Sequence, residues 1–162
     1  MGTICYLVGD ATTPRGEGSK VIAHLCNDRG GWGRGFVQAL SARWPKPEKA
    51  YRDWYQGRSD NNFRLGATQM VQVTPETWVA NMVGQHGITT RRTTRPPIRY
   101  DALRQSLRVL ADWAVELRAS VHMPRIGCGL AGSEWELIEP IIVTELVDRG
   151  VPVFVYDVPG SG

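Results

Sequence analysis

Two glycine-rich loops hold the residues of this sequence whose types and spacing point to chemistry. The first, CNDRGGWGRGFVQALSARWP from Cys26 to Pro45, sets Gly30, Gly31, Gly33 and Gly35 around a tryptophan, between the apolar run VIAHLC and a helical stretch. A loop that only reverses the chain needs one or two glycines, and a larger number lets a ligand come against the backbone. The second, SVHMPRIGCGLAGSEWE, places Gly127, Gly129 and Gly132 in the G-x-G-x-x-G spacing after a strand-like run and before a helical one. A turn of that kind offers unpaired backbone N–H groups and the positive end of a helix dipole, which together suit a phosphate or pyrophosphate.

Side chains able to move protons lie nearby. Gln85 and His86 end the run TWVANMVGQ ahead of Gly87; an amide can orient a water, and an imidazole can take or give a proton near neutral pH. The same pair also fits ordinary loop polarity. Asp28 and Arg34, beside the first loop, are further candidates. Cys128 sits between two glycines near a helix start, where a thiol becomes more acidic, but no histidine adjoins it, and it reads as a small packing residue. The segment ITTRRTTRPPIRYDALR carries Arg91, Arg92, Arg95, Arg99 and Arg104 against Asp101. Such a run is either a solvated face or a set of phosphate contacts, and it leads directly from Gln85 and His86.

These residues have to be positioned by short strands and a few helices. Apolar, β-branched runs occur at 4–10, 21–27, 68–73, 77–85, 120–126 and 151–158, several of them apolar at nearly every residue and so covered on both faces. Helical spacing joins Leu103, Leu107, Leu110, Ala114 and Leu117, and again Val37, Leu40 and Trp44. A third helix is expected after the second glycine loop, with Pro140 in its first turn, Gly150 at its end and Ser133 with Glu136 as a capping box or a short turn before it. Strands alternating with helices predict an α/β sandwich with helices on both faces of the sheet. His24 and His122 lie within strand patterns as core or face histidines, and Trp32, among glycines, is expected to be exposed or in contact with ligand.

At 162 residues, 42% hydrophobic and 22% charged, the chain has the composition of one ordinary globular domain, expected over 1–158 with a flexible tail at 159–162. The three cysteines are odd in number, with no CxxC pair or histidine cluster, which predicts a reducing compartment, no metal site and no cofactor. No apolar run approaches the roughly 20 residues of a membrane span, so no membrane partner is expected and a cytoplasmic location is. A dinucleotide-binding oxidoreductase fits poorly. Its glycine fingerprint belongs to the first βαβ unit with an acid about 20 residues on, whereas here the fingerprint is nearly C-terminal and the available acid is Asp157.

The runs Gly9-Asp10, AHLCND with GGWGRGF, WVANMVGQHGI, PPIRYDALRQSL, MPRIGCGLAGSEWE and VPVFVYDV together resemble the macrodomain family. The nearest likeness is to the subgroup of terminal ADP-ribose protein glycohydrolase and bacterial relatives, among them antitoxin macrodomains that remove ADP-ribose from thymidine in DNA. The resemblance extends from about Ile4 to Val158, and MPRIGCGL followed by WE is its most specific element. It implies a three-layer α/β/α sandwich with a mixed central sheet and a cleft for ADP-ribose. By similarity, Asp10, followed by Ala11, accepts the adenine amino group. Tyr156 lines the adenine pocket, although a tyrosine on that apolar strand fits the core equally. The backbone of Ile126, Gly127, Cys128, Gly129 and Leu130 holds the pyrophosphate, and Asn27 with Gly33, Arg34, Gly35 and Phe36 closes over the distal ribose.

The sequence departs from that subgroup where its catalysis resides. The lysine position falls at Gln85 and the aspartate position at Ala131, so neither a Schiff base nor a carboxylate proton shuttle is available there. The expectation is hydrolysis of ADP-ribosyl groups from protein carboxylates or from thymidine in DNA, through a water positioned by Gln85, with His86, Asn27 and Arg34 as further catalytic candidates. The alternative is a reader that binds ADP-ribose without turnover. The expected partners are ADP-ribose and ADP-ribosylated protein or DNA, with nucleic-acid contact through Arg91, Arg92 and Arg95.

Overall fold

The computed structural model describes residues 2–87 and 95–159. Six strands are formed: β1 (Cys5–Val8), β2 (Lys20–Asn27), β3 (Thr68–Thr74), β4 (Thr77–Gln85), β5 (Ser120–Met123) and β6 (Val153–Asp157). They make one mixed sheet in the order β1-β6-β5-β2-β4-β3, parallel throughout except for the antiparallel β3–β4 pair. Two helices pack on each face: α1 (Phe36–Arg43) and α2 (Lys46–Gln56) on one, α3 (Tyr100–Leu117) and α4 (Trp135–Glu145) on the other. The result is a three-layer α/β/α sandwich.

The period-two geometry of β2 shows why both faces need cover. Val21 and Ala23 enter the core beneath α3 and α4, beside Leu103, Leu107, Leu110, Ile138 and Ile142, whereas Ile22 and Cys26 enter the core beneath α1 and α2, beside Leu40, Tyr51 and Trp54. β4 alternates in the same way, with Ala80 and Met82 on the first side and Val79 and Val83 on the second. The β2–β4 ladder slips near its end: Cys26 pairs with Val83 but Asn27 pairs with Gln85, leaving Gly84 as the extra residue. A side chain at Gly84 would be driven into Leu25, since a Cβ there would lie 2.7 Å from Leu25 Cδ2.

Three expectations from sequence are corrected. Helix α4 starts at Trp135, so Pro140 lies inside the helix rather than in its first turn. Its missing N–H leaves the carbonyl of exposed Glu136 without the usual partner, and water can supply one. Ser133 is not the cap, because Glu134 occupies that position and the Ser133 hydroxyl instead meets Tyr100 Oη at 2.8 Å. Trp32 is buried rather than exposed, with its indole N–H donating to Ser41 Oγ at 2.8 Å and to the Val37 carbonyl at 3.2 Å, while it still lines the cavity described below. Among the described residues no helix is long and apolar enough to cross a membrane. The tail expected at 159–162 lies, apart from Pro159, outside the described residues.

Candidate functional site

After β2 the chain turns to α1 on one face of the sheet, and after β5 it turns to α4 on the other. The carboxyl ends of these neighbouring strands therefore part, and a crevice forms where strand order and winding diverge. A cavity of about 340 Å³ occupies it. One wall is the first glycine loop, with Asn27, Trp32, Gly33, Arg34, Gly35 and Phe36; the facing wall is the second loop, with Arg125, Ile126, Gly127, Cys128 and Ala131. Gln85 and Pro97 close a third side, and His24 and Cys26 also line the cavity. The two loops singled out by sequence thus meet across one site.

The second loop is shaped by left-handed backbone at Gly127 (φ 81°) and Gly129 (φ 67°). Gly127 is also a close-approach position, because a Cβ there would lie 2.8 Å from both Ile98 Cδ1 and Ile138 Cδ1. The loop is tied back by Ser133 N–H to the Gly127 carbonyl at 2.9 Å and by Ile98 N–H to the Ala131 carbonyl at 3.1 Å. At Cys128 burial pushes the thiol up, with Arg125 pulling more weakly the other way.

Asn27 organises the first loop. Its Oδ1 accepts from the N–H groups of Arg29 at 2.9 Å and Gly31 at 3.2 Å, and its Nδ2 donates to the Gly31 carbonyl at 2.7 Å. Buried Tyr51 adds its hydroxyl, donating at 2.6 Å to the Asn27 carbonyl, with Oδ1 at 3.1 Å. The carbonyl end of the Asn27 side chain is therefore committed to the loop, and one amide N–H remains for a ligand. Arg34 is exposed on the cavity wall and makes no hydrogen bond or ion pair among the described residues.

Beneath the loop runs a buried hydrogen-bonded chain. Gln69 Nε2 donates to the Ala50 carbonyl at 3.0 Å, so its Oε1 faces Asn81 Nδ2, also at 3.0 Å. Asn81 Oδ1 in turn meets His24 Nε2 at 2.5 Å. Asn81 Oδ1 can only accept, so His24 Nε2 carries the proton, and its Nδ1 is buried with no hydrogen-bond partner among the described residues. Burial holds the His24 pKa down at about 4, with the Asn81 bond opposing. His122 is likewise lowered to about 4 by burial and by Lys20, and its ring nitrogens meet Ser120 Oγ and Tyr156 Oη, each at 2.7 Å.

On the third side, Gln85 lines the cavity, and its side-chain amide makes no hydrogen bond among the described residues. The neighbouring His86 joins Asp28 across the β2–β4 ends, with Nδ1 and Oδ2 2.6 Å apart, and Gly87 N–H donates to Asp28 Oδ1 at 2.8 Å. The Asp28 N–H donates to the Gln85 carbonyl at 3.0 Å, which locks the two strand ends together. Local sequence offers no sign of this pairing, because 58 residues separate its members.

Other expected residues lie elsewhere. Asp10 and Ala11 stand beyond β1, two strands and so roughly 10 Å from β5, outside this cavity. Asp10 Oδ1 accepts from the N–H and the hydroxyl of Thr12, both at 2.8 Å. Tyr156 lies in the core: it is 3% exposed, and its hydroxyl meets His122 Nδ1 and accepts from Arg15 N–H at 3.0 Å. Sequence reasoning missed Arg125, whose guanidinium forks onto Asp157 at 2.7 and 2.9 Å and lies 5.2 Å from the Tyr6 ring and 5.3 Å from the Trp135 ring. That pairing holds the Asp157 carboxyl below its ordinary range. Arg95 is exposed beside a hollow next to Arg99, whereas Arg91 and Arg92 lie outside the described residues. No group of three or more metal-ligating side chains is assembled among the described residues.

A mixed α/β/α sandwich with paired glycine loops at a strand-end crevice defines a nucleotide-binding class of domain. A macrodomain protein from Streptomyces coelicolor shares 55% of its sequence with this chain, covering 95% of this chain and 98% of that one with a TM-score of 0.85. A protein from Bacteroides thetaiotaomicron is 56% identical over 95% and 97% of the two chains, with a TM-score of 0.91. The chain belongs to the macrodomain family. No family model matches it. Among curated proteins, the Chromodomain-helicase-DNA-binding protein 1-like of Mus musculus is 33% identical over 98% of this chain but only 18% of that protein. The chain thus spans less than a fifth of the curated relatives it matches first. An ADP-ribose 1''-phosphate phosphatase of Meyerozyma guilliermondii is 23% identical over 88% of this chain and 93% of that protein. The fold is shared with Thermosipho africanus DarTG in complex with ADP-ribose, at 18% identity over 86% of this chain and 38% of that one, with a TM-score of 0.68.

Proposed function

We propose that this macrodomain binds ADP-ribose in the crevice and hydrolyses ADP-ribosyl groups from modified macromolecules. The observation that carries the reading is the convergence on one cavity of a phosphate-type glycine loop, a sugar-sized glycine loop and Gln85. The second loop offers backbone N–H groups to the pyrophosphate, and the first encloses the distal ribose. Relatives whose names specify ADP-ribose chemistry or an ADP-ribose complex support the ligand.

With Gln85 and Ala131 at the lysine and aspartate positions, the route open to these residues is direct attack by water. Gln85 orients the water against the anomeric carbon, and the water's proton passes to the departing group or to solvent. The new carbon–oxygen bond forms as the bond to the carboxylate oxygen or thymine ring nitrogen breaks, its electron pair leaving with that atom. A carboxylate leaves without needing a proton, whereas a thymine nitrogen takes up the one that the attacking water gives up. Arg91, Arg92 and Arg95 follow Gln85 and His86 in the chain and suit the phosphates of a modified DNA strand.

The test is release of free ADP-ribose from a carboxylate-modified protein and from thymidine-linked ADP-ribosyl DNA, with binding followed by calorimetry. Release from either, lost in Gln85→Ala with affinity retained, is the expected result. Tight binding with no release favours the second reading, a reader domain, which the residues at 85 and 131 support.

A further inference from the structure

The cavity wall carries cations and no acids. Its lining holds Arg34 and Arg125 and, among the described residues, no aspartate or glutamate. A cleft lined by one sign of charge focuses its field, and this one favours an anion. Arg125 stands where the second glycine loop leaves β5, and its guanidinium is already fixed in place. Nε donates to Asp157 Oδ1 at 2.7 Å and Nη2 to Oδ2 at 2.9 Å, while the rings of Tyr6 and Trp135 lie 5.2 and 5.3 Å from its central carbon. Even so, the side chain is 39% exposed.

A guanidinium has five N–H groups, and the fork onto Asp157 spends two of them, those of the side-on edge. The parallel pair of the end-on edge, one N–H from each terminal nitrogen, makes no hydrogen bond among the described residues, and nor does the outer N–H of Nη1. Asp157 ends β6, on the side of β5 away from β2, so the spent edge is the one turned from the first glycine loop. The arginine's charge reaches the second loop as well, since it draws the Cys128 thiol down against the effect of burial. A parallel pair of N–H groups matches two oxygens of one phosphoryl group, a geometry that an ammonium does not reproduce.

We propose that Arg125 is a specificity-determining residue of the cleft, its end-on edge gripping one phosphoryl group of a diphosphate ligand while Asp157 holds the guanidinium in place. This inference rests on the ADP-ribose-binding reading above and is independent of hydrolysis. The Asp157 carboxylate lies across the guanidinium from that edge, so a phosphate there meets the nearer, positive charge first.

The experiment measures ADP-ribose affinity by calorimetry for wild type, Arg125→Gln and Arg125→Lys at about 50 and about 300 mM salt, which differ in how strongly they screen charge, with urea midpoints to establish that each variant is folded. Arg125→Gln should bind at least roughly tenfold more weakly at the lower salt, and the deficit should shrink at the higher one, because the contact it lacks is the one that salt screens. Arg125→Lys should recover the salt dependence but remain at least about threefold weaker than wild type, having the charge without the fork. Unchanged affinity in Arg125→Gln, or a loss by the same factor at both salt concentrations, would overturn the phosphate contact while leaving the ADP-ribose cleft intact. Wild-type affinity in Arg125→Lys would overturn the two-pronged grip, and would do so even if Arg125→Gln failed to fold. Absence of ADP-ribose binding by wild type would overturn the binding reading, and the role of Arg125 with it.

Discussion

Replacing Gly127 by alanine should destabilise the domain more than the same change at Gly129, although both residues belong to the loop assigned to the pyrophosphate. Both have left-handed backbone, at φ 81° and 67°, and a Cβ in that region costs about 1–2 kcal/mol. The positions differ in what the methyl would meet. At Gly127 it would lie 2.8 Å from Ile98 Cδ1 and from Ile138 Cδ1, whereas at Gly129 nothing lies within 4 Å. Overpacking of this kind costs about 1–3 kcal/mol, so Gly127→Ala should lose about 2–5 kcal/mol and Gly129→Ala about 1–2. For a domain of this length the gap corresponds to roughly 2–12 °C in Tm. Urea unfolding followed by tryptophan fluorescence, together with thermal scans, would measure both. Equal losses, or a larger one at Gly129, would refute the close-packing argument. Binding is therefore better tested at the open position. Gly129→Leu should stay folded yet lose ADP-ribose affinity, and unchanged affinity would remove the phosphate-cradle assignment.

Tyr51→Phe should cost about 1 kcal/mol through loss of the buried hydrogen bond and should weaken ADP-ribose binding by loosening Asn27; an unchanged urea midpoint would contradict that role. His24 and His122 have folded pKa values near 4, below the ordinary histidine value of 6.5, so the unfolded chain binds more protons between these limits. Their contribution to stability should be complete above about pH 6.5 and fall progressively towards pH 4, by at most roughly 3 kcal/mol per histidine. Urea midpoints between pH 7 and pH 5 test this, and a flat profile would count against neutral burial. Neutralising Arg91, Arg92 and Arg95 together should weaken binding to ADP-ribosyl DNA and flatten its salt dependence without altering affinity for free ADP-ribose. If free ADP-ribose alone were affected, the loop would have no part in holding DNA.

How far the sequence reveals this molecule depends on whether the cause is local. β2 and β4 are legible because unbroken apolar runs need cover on both faces, and α3 because its leucines recur at helical spacing. α2 is not legible in the same way: KPEKAYRDWYQ is mostly polar, and its hold on the sheet comes from Tyr51 and Trp54, which find their cavities only in the folded chain. Pro140 misleads for a similar reason. A proline favours a first turn, but burial of Ile138, Ile141 and Ile142 favours a helix that begins before it. At the site, the glycine loops announce themselves through composition. The Tyr51 bond to Asn27, the Asp28–His86 pair and the Arg125 fork join residues distant in sequence, which only strand order brings together.

The slipped register at the end of the β2–β4 ladder has a consequence that concerns parity. Side chains on a strand alternate strictly, so the extra residue at Gly84 reverses the phase of the residues beyond it relative to β2. It brings Gln85, rather than Gly84, level with Asn27. In a regular ladder Gly84 would stand level with Asn27 and Gln85 level with Asp28, which would exchange odd for even from that point on. Every polar group would remain in the sequence, yet the amide and the imidazole would trade sides. The chemistry proposed for this cleft depends on a count of residues as much as on their identities.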